Sequence, residues 1–316
     1  MTHSIFQRKK YYLMIILFIL LLPACNKNKN NNSDHYSGKL TEIEQIFSNQ
    51  YQCDSVSLQQ IGIERAEGID YDGTSVYISD GTHKQILQFD QHWKKTGEIS
   101  SSRCSRPGLL AHNQKHLAIL DTATNQICLL TKENEQMEQI VPLPPIQPES
   151  HYIDMDMNHD FIFLTLATAN KQDARIIQIR IRDFKITKIA SDFYGFVALS
   201  KENIYFVNSL VAFQDDKREG FESGRNSLWI LKNGSLTRIS DLIEKSCPGD
   251  FLLPDQTLIQ YTSGWSSIDR YDKNFHYLDS IATFRSSDLE TQLKGNNKRM
   301  ILFMPNEQKL FEVRLK

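Results

Sequence analysis

The chain has 316 residues, with 36 Lys and Arg against 38 Asp and Glu, and a formal net charge of −2 at pH 7. A charge balance so close to zero argues against nucleic acid as a partner, because nucleic-acid-binding domains carry a basic excess. The length that follows the N-terminal segment suits one large domain or two small ones.

The N-terminus has the order of a secretory signal peptide. Arg8, Lys9 and Lys10 form a positive segment, and an uncharged apolar run from Tyr11 to Leu22 follows it. A run of about a dozen residues is too short for a permanent anchor, since a helix needs about 20 apolar residues to span a bilayer. The run is therefore typical of a signal peptide that is removed. An ordinary secretory signal with a chance cysteine after it is the alternative interpretation.

The apolar run ends in Leu22-Pro23-Ala24-Cys25, which resembles the lipobox of bacterial lipoproteins. The resemblance implies that residues 1–24 are removed and that Cys25 is acylated. Several acyl chains would hold the protein firmly, because each buried CH₂ contributes about 0.8 kcal/mol. We therefore expect a membrane partner, reached through lipid on Cys25.

Residues 25–38 are predicted to be the lipidated cysteine and a flexible tether. The segment is rich in Asn and Lys and has almost nothing apolar to bury. Asn26 stands where enterobacterial lipoproteins retained in the inner membrane have Asp, and no acidic cluster follows. By this resemblance we expect the outer membrane, with the protein facing the periplasm.

The folded domain is predicted over residues 39–316. Lys39 to Phe47 has an amphipathic pattern and is the best helix candidate in a chain where long helices are nearly absent. Val56 to Ile61 has the composition of a strand, but no partner strand stands next to it in the sequence.

An internal repeat of 40 to 41 residues follows. Gly68 and Gly108 are 40 residues apart, and Asp80 and Asp121 are 41 apart. Each unit predicts four short strands separated by polar turns, and a period of about 40–45 residues is the signature of a β-propeller. Weaker copies of the unit lie at 153–179, 195–231, 249–271 and 300–313.

The repeats predict an all-β fold, a six-bladed β-propeller of four-stranded antiparallel blades. Packing blades around an axis covers the faces that one four-stranded sheet cannot bury alone. The last unit supplies only three strands, so we expect Val56–Ile61 to add the fourth and to close the ring. A β-sandwich with coincidental spacing is the alternative fold.

The strand Val76–Asp80 and the segment His83–Asp90 together resemble an NHL repeat. With the lipobox, the chain resembles the six-bladed propeller lipoproteins common in Bacteroidetes. The likeness is sharp over residues 66–130 and faint afterwards. It implies a fold and a location in the cell envelope, but little about activity.

Glu67-Gly68 also resembles the first blade of gluconolactonase-like propellers, which bind a divalent metal in their central channel. Ile69 replaces the proline of that motif, and Tyr194 and Asn208 replace an Asn and a carboxylate of a later blade. One oxygen ligand does not hold a hard cation well. We therefore predict no metal and no cofactor, and expect Glu67 to line the channel or to bond the backbone of a neighbouring blade.

The longest interruption of the repeat is residues 209–226, predicted to be a loop between the second and third strands of the fourth blade. In a propeller such turns share a face with the links between blades, and long loops are often functional. Phe213, Phe221 and Arg225 are candidate contacts for a partner, with a solvated flap as the alternative. Trp265, in a short polar turn, is a further candidate.

Asp80 and Asp121 end second strands, where aspartates usually cap turns; with Glu67 and Asn208 they complete the candidate binding residues. No catalytic residue is predicted, because the histidines are scattered and no Gly-x-Ser-x-Gly motif is present. The preferred function is a non-catalytic, membrane-anchored binding or scaffold lipoprotein that holds an envelope protein, peptide or glycan. A metal-dependent lactonase-like or other small-molecule hydrolase, with its site in the channel, is the alternative.

Four cysteines follow Cys25, and none is in a CxxC pair, which argues against a metal site. Cys104 and Cys247 precede Pro-Gly in the second and fifth units. These units lie on opposite sides of a six-bladed ring, so the two cysteines are predicted not to pair. The sequence leaves open the disulfide state of Cys53, Cys104, Cys128 and Cys247.

Overall fold

The computed structural model describes residues 42–100, 104–168, 174–200, 203–215, 218–242, 248–286 and 288–316, and within 209–226 it describes the backbone alone. The lipidation site Cys25, the expected tether at 25–38 and Cys247 lie outside the described residues. Within the described ranges, no helix is long and apolar enough to cross a membrane.

Short antiparallel strands make up nearly all of the described part of the chain, and they form six sheets of four or five strands. Two strands precede the blades, β1 (Ile43–Ile46) and β2 (Tyr51–Val56). The first blade contains β3 (Ala66–Tyr71), β4 (Val76–Asp80), β5 (Gln85–Phe89) and β6 (Lys95–Ser100). The second contains β7 (Pro107–His112), β8 (His116–Asp121), β9 (Gln126–Thr131) and β10 (Met137–Pro142). The third contains β11 (His151–Met157), β12 (Phe161–Ala167), β13 (Arg175–Arg180) and β14 (Lys185–Ser191).

The remaining blades follow in the same order. The fourth contains β15 (Gly195–Ser200), β16 (Asn203–Asp215), β17 (Arg218–Lys232) and β18 (Ser235–Asp241). The fifth contains β19 (Pro248–Leu252), β20 (Leu258–Thr262), β21 (Ser267–Tyr271) and β22 (Tyr277–Phe284), with a short 3-10 helix, Pro254–Gln256, after β19. The sixth contains β23 (Gln292–Gly295), β24 (Arg299–Met304) and β25 (Lys309–Leu315).

The six blades form a closed ring. The first strand of each blade packs beside the first strand of the next blade, and β23 of the sixth blade packs beside β3 of the first. These first strands therefore surround a central channel. The predicted six-bladed β-propeller is confirmed, and the β-sandwich alternative is wrong.

One face of the ring carries both the links between blades and the turns between second and third strands, because successive strands of a blade run in opposite directions. We call it the link face. Its short turns are 81–84, 122–125, 263–266 and 305–308.

An N-terminal strand closes the ring, as predicted, but it lies five residues earlier than expected. β2 is the outer strand of the sixth blade and pairs with β25, with Tyr51 opposite Leu315 and Val56 opposite Leu310. Residues 57–62 form turns instead of a strand. The pairing favours the earlier segment because Tyr51 and Cys53 alternate inwards and are buried.

The predicted helix over 39–47 is wrong for its described part. Ile43 and Ile46 belong to β1, which pairs with Phe284 and Ala282 in β22 and adds a fifth strand to the fifth blade. An isolated helix of this length is marginal in water. The edge of the fifth blade offers unpaired backbone groups instead, and pairing with it outweighs the local amphipathic pattern.

Apolar clusters fill the seams between neighbouring blades. In the seam between the sixth and first blades, Phe303 and Leu310 belong to one cluster with Ile78 and Leu87, and each is at most 2% exposed. Full burial of such a side chain contributes about 1.5–3 kcal/mol. The ring is therefore held mainly by packing between the flat faces of its blades.

Steric contacts explain why glycine recurs near the start of the inner strands. A Cβ atom on Gly68 would collide with the carbonyl oxygen of Gly108 in the next blade, and one on Gly195 would collide with the carbonyl oxygen of Val207. The first contact lies between inner strands of neighbouring blades and the second between the first two strands of one blade, and each approach requires a residue without a side chain.

Residues 209–215 and 218–226 form the arms of a long β-hairpin, so the prediction of a loop is wrong for these residues. β16 and β17 have 13 and 15 residues. Their pairing passes an irregularity between Asn208 and Leu210 and continues to Asp215 opposite Arg218. The two arms continue the ladder of the strands from which they emerge, which satisfies the backbone groups on the sides where the arms face each other.

Candidate functional site

Carboxylates on the inner strands fasten neighbouring blades to each other in the channel. Asp154 in β11 accepts a hydrogen bond from the amide of Val197 in β15, at 2.8 Å. Asp250 in β19 accepts one from the amide of Leu293 in β23, at 2.7 Å. In both pairs the acceptor precedes the donor by 43 residues, so the same contact recurs between successive blades.

Lys294 of β23 lies among these carboxylates. Its Nζ atom is 2.9 Å from Oδ1 of Asp154 and 3.5 Å from Oδ2 of Asp250. Burial alone would lower the pKa of Lys294, but the surrounding carboxylates outweigh burial and raise it well above the ordinary value. Lys294 is therefore a buried cation that joins the third, fifth and sixth blades.

Asp156 is a third carboxylate of this channel cluster. It accepts a hydrogen bond from the amide of Leu199 at 3.1 Å. Burial raises the pKa of Asp156 to about 6, although Lys294 opposes the increase. Burial and the charge of Asp154 raise the pKa of Asp250 well above its usual range. Asp156 and Asp250 therefore hold their protons at pH values where exposed carboxylates are ionised.

Two histidine–carboxylate pairs lie towards the two ends of the channel. Nδ1 of His112, the last residue of β7, is 2.6 Å from Oδ2 of Asp70. Nε2 of His151, the first residue of β11, is 2.7 Å from Oε1 of Glu290. Burial would lower the pKa of each histidine, but the paired carboxylate outweighs burial and raises it. Because His151 and Glu290 belong to opposite sides of the ring, their contact crosses the channel near the link face.

Glu67, the candidate first ligand of a channel metal, is held by two arginines. Its Oε1 atom is 3.0 Å from Nε of Arg65 and 2.9 Å from Nη2 of Arg106. Arg106 precedes β7, so the carboxylate of Glu67 bonds a side chain that leads into the neighbouring blade.

The described channel residues do not fit a divalent cation of the kind that the alternative function needs. Such a cation requires several oxygen ligands around one point. Asp154 and Asp250 face Lys294 and backbone amides, whereas Glu67 faces arginines. Oδ1 of Asn208 is buried and has no hydrogen-bond partner among the described residues. The donor set suits a lysine ammonium instead.

The two repeat aspartates are buried caps of the link face. Oδ1 of Asp80 accepts from the amide of Thr82 at 3.0 Å, and Oδ2 lies 2.7 Å from Nδ1 of His83. Oδ2 of Asp121 accepts from the amide of Ser105 at 2.7 Å. Because both side chains are fully buried, their oxygens fix turns and links inside the protein.

The hairpin of the fourth blade leaves the ring at the link face. Residues 210–215 and 218–223 pair with each other, and no third strand pairs with them in the described part of the chain. Six extra residues in each arm correspond to about 20 Å of strand. Phe213 and Phe221 lie opposite Gly220 and Ala212 in this ladder. Arg225 lies on the β17 side of the irregularity that separates the hairpin from the blade.

Trp265 lies on the same face, in the turn between β20 and β21 of the fifth blade. Its side chain is 63% exposed. Its amide donates to the carbonyl oxygen of Thr262 at 3.2 Å, which holds the turn. The link face therefore presents a large aromatic side chain one blade away from the hairpin.

A cleft on the outside of the ring lies beside β2 and β25, the two strands that close it. It has a volume of about 440 Å³ and lies between the outer strand of the sixth blade and the first blade. Nε1 of Trp93 donates to Glu312 at 2.9 Å, and Nη2 of Arg314 donates to Asp54 at 2.8 Å. The polar groups that line this cleft thus bond to one another across the closing strands.

Sequence reasoning missed the channel cluster. The signal was present in β11, where Asp154 and Asp156 alternate with Met155 and Met157, which places two carboxylates on one face of a strand. Lys294 carried no comparable signal, because it lies in the unit whose repeat is most degenerate.

No protein-family model and no curated protein matches the sequence. Solved structures do match it. Virginiamycin B lyase from Staphylococcus aureus is 16% identical, with a TM-score of 0.53 over 84% of this chain and 100% of that one. Regucalcin from Agrobacterium tumefaciens, a calcium-binding protein, is 14% identical, with a TM-score of 0.56 over 79% of this chain and 90% of that one.

A luciferin-regenerating enzyme is 11% identical, with a TM-score of 0.58 over 84% of this chain and 95% of that one. These neighbours are a lyase, a calcium-binding protein and a regenerating enzyme. Likeness at such low identity establishes the propeller fold of this chain and leaves its activity to the residues that it carries.

Proposed function

We propose that this chain is a membrane-anchored lipoprotein of the cell envelope that binds a partner through its link face. Lipid on Cys25 would hold it on the periplasmic side of the outer membrane, as in the propeller lipoproteins of Bacteroidetes that it resembles. The hairpin at 209–226 is the contact element, and the partner is an envelope protein, peptide or glycan. The observation that carries the proposal is the extension of β16 and β17 beyond their blade.

The hairpin is suited to binding for a physical reason. A two-stranded ribbon is marginally stable in water by itself, and each of its outer edges has unpaired backbone groups. A partner that covers the ribbon or adds a strand to it would satisfy these groups. Because the two arms are already paired, binding does not have to order a loop of the same length.

The contacts of the channel carboxylates support a structural role for them, although a hydrolase would need such carboxylates for its chemistry. Asp154 and Asp250 bond the amides of the following blades and the ammonium of Lys294. These contacts use the carboxylates to hold the ring together, which favours binding on the face over chemistry in the channel.

A photo-crosslinking experiment tests the proposed contact. A photoreactive amino acid at position 213 should crosslink a partner in envelope membranes, and the crosslink should form again with the purified partner. The control position is 298, an exposed residue in the turn between β24 and β23 on the opposite face. A variant in which Asn-Gly replaces residues 210–223 should keep the melting temperature and lose capture. Equal crosslinking from both positions, or full capture by the shortened variant, would contradict the proposal.

A small-molecule hydrolase that works without a metal is the second candidate, and Asp156 is the observation that favours it. Its pKa of about 6 suits a general acid or base near neutral pH. Turnover of a lactone or ester by the wild-type protein, lost in Asp156→Asn and kept in Asp160→Asn, would promote this candidate. Absence of turnover across a panel of lactones and esters leaves the binding function preferred.

A further inference from the structure

Cys104 and Cys128 bring their sulfur atoms together in the seam between the first and second blades. Cys104 lies in the link between β6 and β7, and Cys128 lies within β9, opposite Ile119 of β8. Both side chains are at most 1% exposed. The two Sγ atoms and a carboxylate oxygen of Asp121 lie within 4.8 Å of one another, and the two thiols share a hydrogen bond.

Two thiols and a carboxylate could bind a soft metal ion, but this carboxylate already accepts hydrogen bonds from backbone amides. Asp121 accepts hydrogen bonds from the amides of Ser105, Arg106 and Ala123, at 2.7, 3.0 and 3.0 Å. A structural zinc ion takes four ligands. Without Asp121, the described residues offer only the two sulfur atoms of Cys104 and Cys128 as ligands here. Two sulfur atoms suit a covalent bond between them better than a metal site.

We propose that Cys104 and Cys128 are joined by a disulfide bond in the exported protein. The two Sγ atoms already lie within 4.8 Å of each other, and bond formation requires them to approach to about 2.05 Å. The inference rests on the proposed location in the cell envelope, because disulfides persist in oxidising compartments. The bond would tie the link before the second blade to the third strand of that blade.

The reaction is thiol–disulfide exchange with a disulfide oxidant, either a disulfide-donor protein or an oxidised small-molecule thiol. One cysteine attacks the oxidant as a thiolate, forms a mixed disulfide and releases the first thiol of the oxidant. The second cysteine attacks the sulfur of the first and releases the second thiol. Two electrons and two protons pass from the cysteines to the oxidant. Because both sulfurs are buried in the closed seam, the exchange takes place while the seam is still open during folding.

Peptide mapping tests the bond directly. The full chain, extracted from envelope membranes with detergent and alkylated before digestion, should yield peptides joined through Cys104 and Cys128, with Cys53 alkylated. The full chain refolded with oxidised and reduced glutathione should form the same bond. The refolding experiment does not depend on export. If the bond forms in the refolded protein but is absent from the protein extracted from membranes, both the proposed location and the bond in the cell are wrong.

Thermal unfolding supplies a second readout. Reduction should lower the melting temperature of the wild-type protein by about 5–10 °C. Cys104→Ser and Cys128→Ser should melt with the reduced protein and should not respond to reductant. Cys53→Ser is the matched control, since Cys53 is buried in the sixth blade, and it should keep the full response.

Three results would overturn the disulfide. The first is alkylation of both Cys104 and Cys128 in the refolded protein under oxidising conditions. The second is a bond from either residue to Cys247. The third is stoichiometric zinc in the purified protein that is lost in both serine variants, which would make the thiol pair a metal site.

Discussion

Lys294 and Asp154 belong to opposite blades of the ring, and their side chains meet in the channel with Nζ 2.9 Å from Oδ1. The two residues are 140 positions apart in the chain. Their contact crosses the axis around which the blades are arranged, whereas the apolar clusters act only between neighbouring blades. A buried ion pair of this kind does little to stabilise a fold compared with apolar packing, but loss of one partner is costly.

Replacement of Lys294 by Met should therefore destabilise the protein by about 3–5 kcal/mol, because it leaves carboxylates buried without their cation. The free energy of unfolding, measured with denaturant at neutral pH, checks this. Lys298→Met is the control, since Lys298 is exposed three residues after Gly295, and it should stay within about 0.5 kcal/mol of the wild type. Equal effects of the two substitutions would remove Lys294 from the interactions that hold the ring.

The raised pKa of Asp156 predicts a pH dependence with a definite sign. Its pKa rises from 3.8 to about 6 on folding, so the folded protein binds this proton more tightly than the unfolded chain. The stabilisation is complete below pH 4 and is lost as the pH rises through about 6. Its size is at most about 3 kcal/mol.

Asp156→Asn should abolish this part of the pH dependence. The melting temperature of the variant minus that of the wild type should increase between pH 4 and pH 7. Asp160→Asn, an exposed acid on the same blade, should give a difference that is nearly flat with pH. A difference that decreases with pH for Asp156→Asn would mean that its carboxyl is ionised in the folded protein throughout this range.

Stepwise truncation tests the closure of the ring. Removal of residues 26–37 should leave the melting temperature unchanged, because no described strand is lost. Removal through Gln50 takes away only β1 and should have a small effect. Removal through Val56 takes away β2, with Tyr51 and Cys53, and should cost about 3 kcal/mol or more because it also exposes the edge of β25. Similar melting temperatures for all three forms would contradict closure by β2.

The anchor is tested by Cys25→Ser in the full chain. Without lipid on this residue, the protein should leave the membrane fraction at high salt, whereas the wild type should stay and carry the added mass of acyl chains. Cys53→Ser should fractionate like the wild type. A Cys25→Ser protein that still sediments with membranes at high salt, with no change in mass between variant and wild type other than the substitution, would remove the lipid anchor.

The fold could be predicted because each blade repeats the same sequence pattern. Gly68 and Gly108 are spaced by one unit, and a Cβ atom on either would collide with a neighbour, which is the carbonyl oxygen of Gly108 for Gly68 and the side chain of Thr122 for Gly108. The channel cluster could not be predicted in the same way. Asp154, Asp250 and Lys294 come from different blades, and nothing in the local sequence of any one of them indicates the others.

The two errors at the N-terminus and in the fourth blade have a common cause. The amphipathic pattern of 39–47 and the polar composition of 209–226 are local properties. The partners that decide both structures are Phe284 for Ile43 and the facing arm of the hairpin for 209–226. Pairing with an available strand edge outweighed the local preference in each case.

The pairing of β2 with β25 also means that the ring can close only late in synthesis of the chain. The N-terminal strand is made early, but its partner, Lys309–Leu315, follows every other described strand in the chain and is made after them. A chain that is stopped or clipped before Lys309 would have five complete blades and a sixth with exposed edges. We expect such products to be degraded or to aggregate, and an affinity tag fused directly after Lys316 to interfere more than one placed in the turn at 233–234.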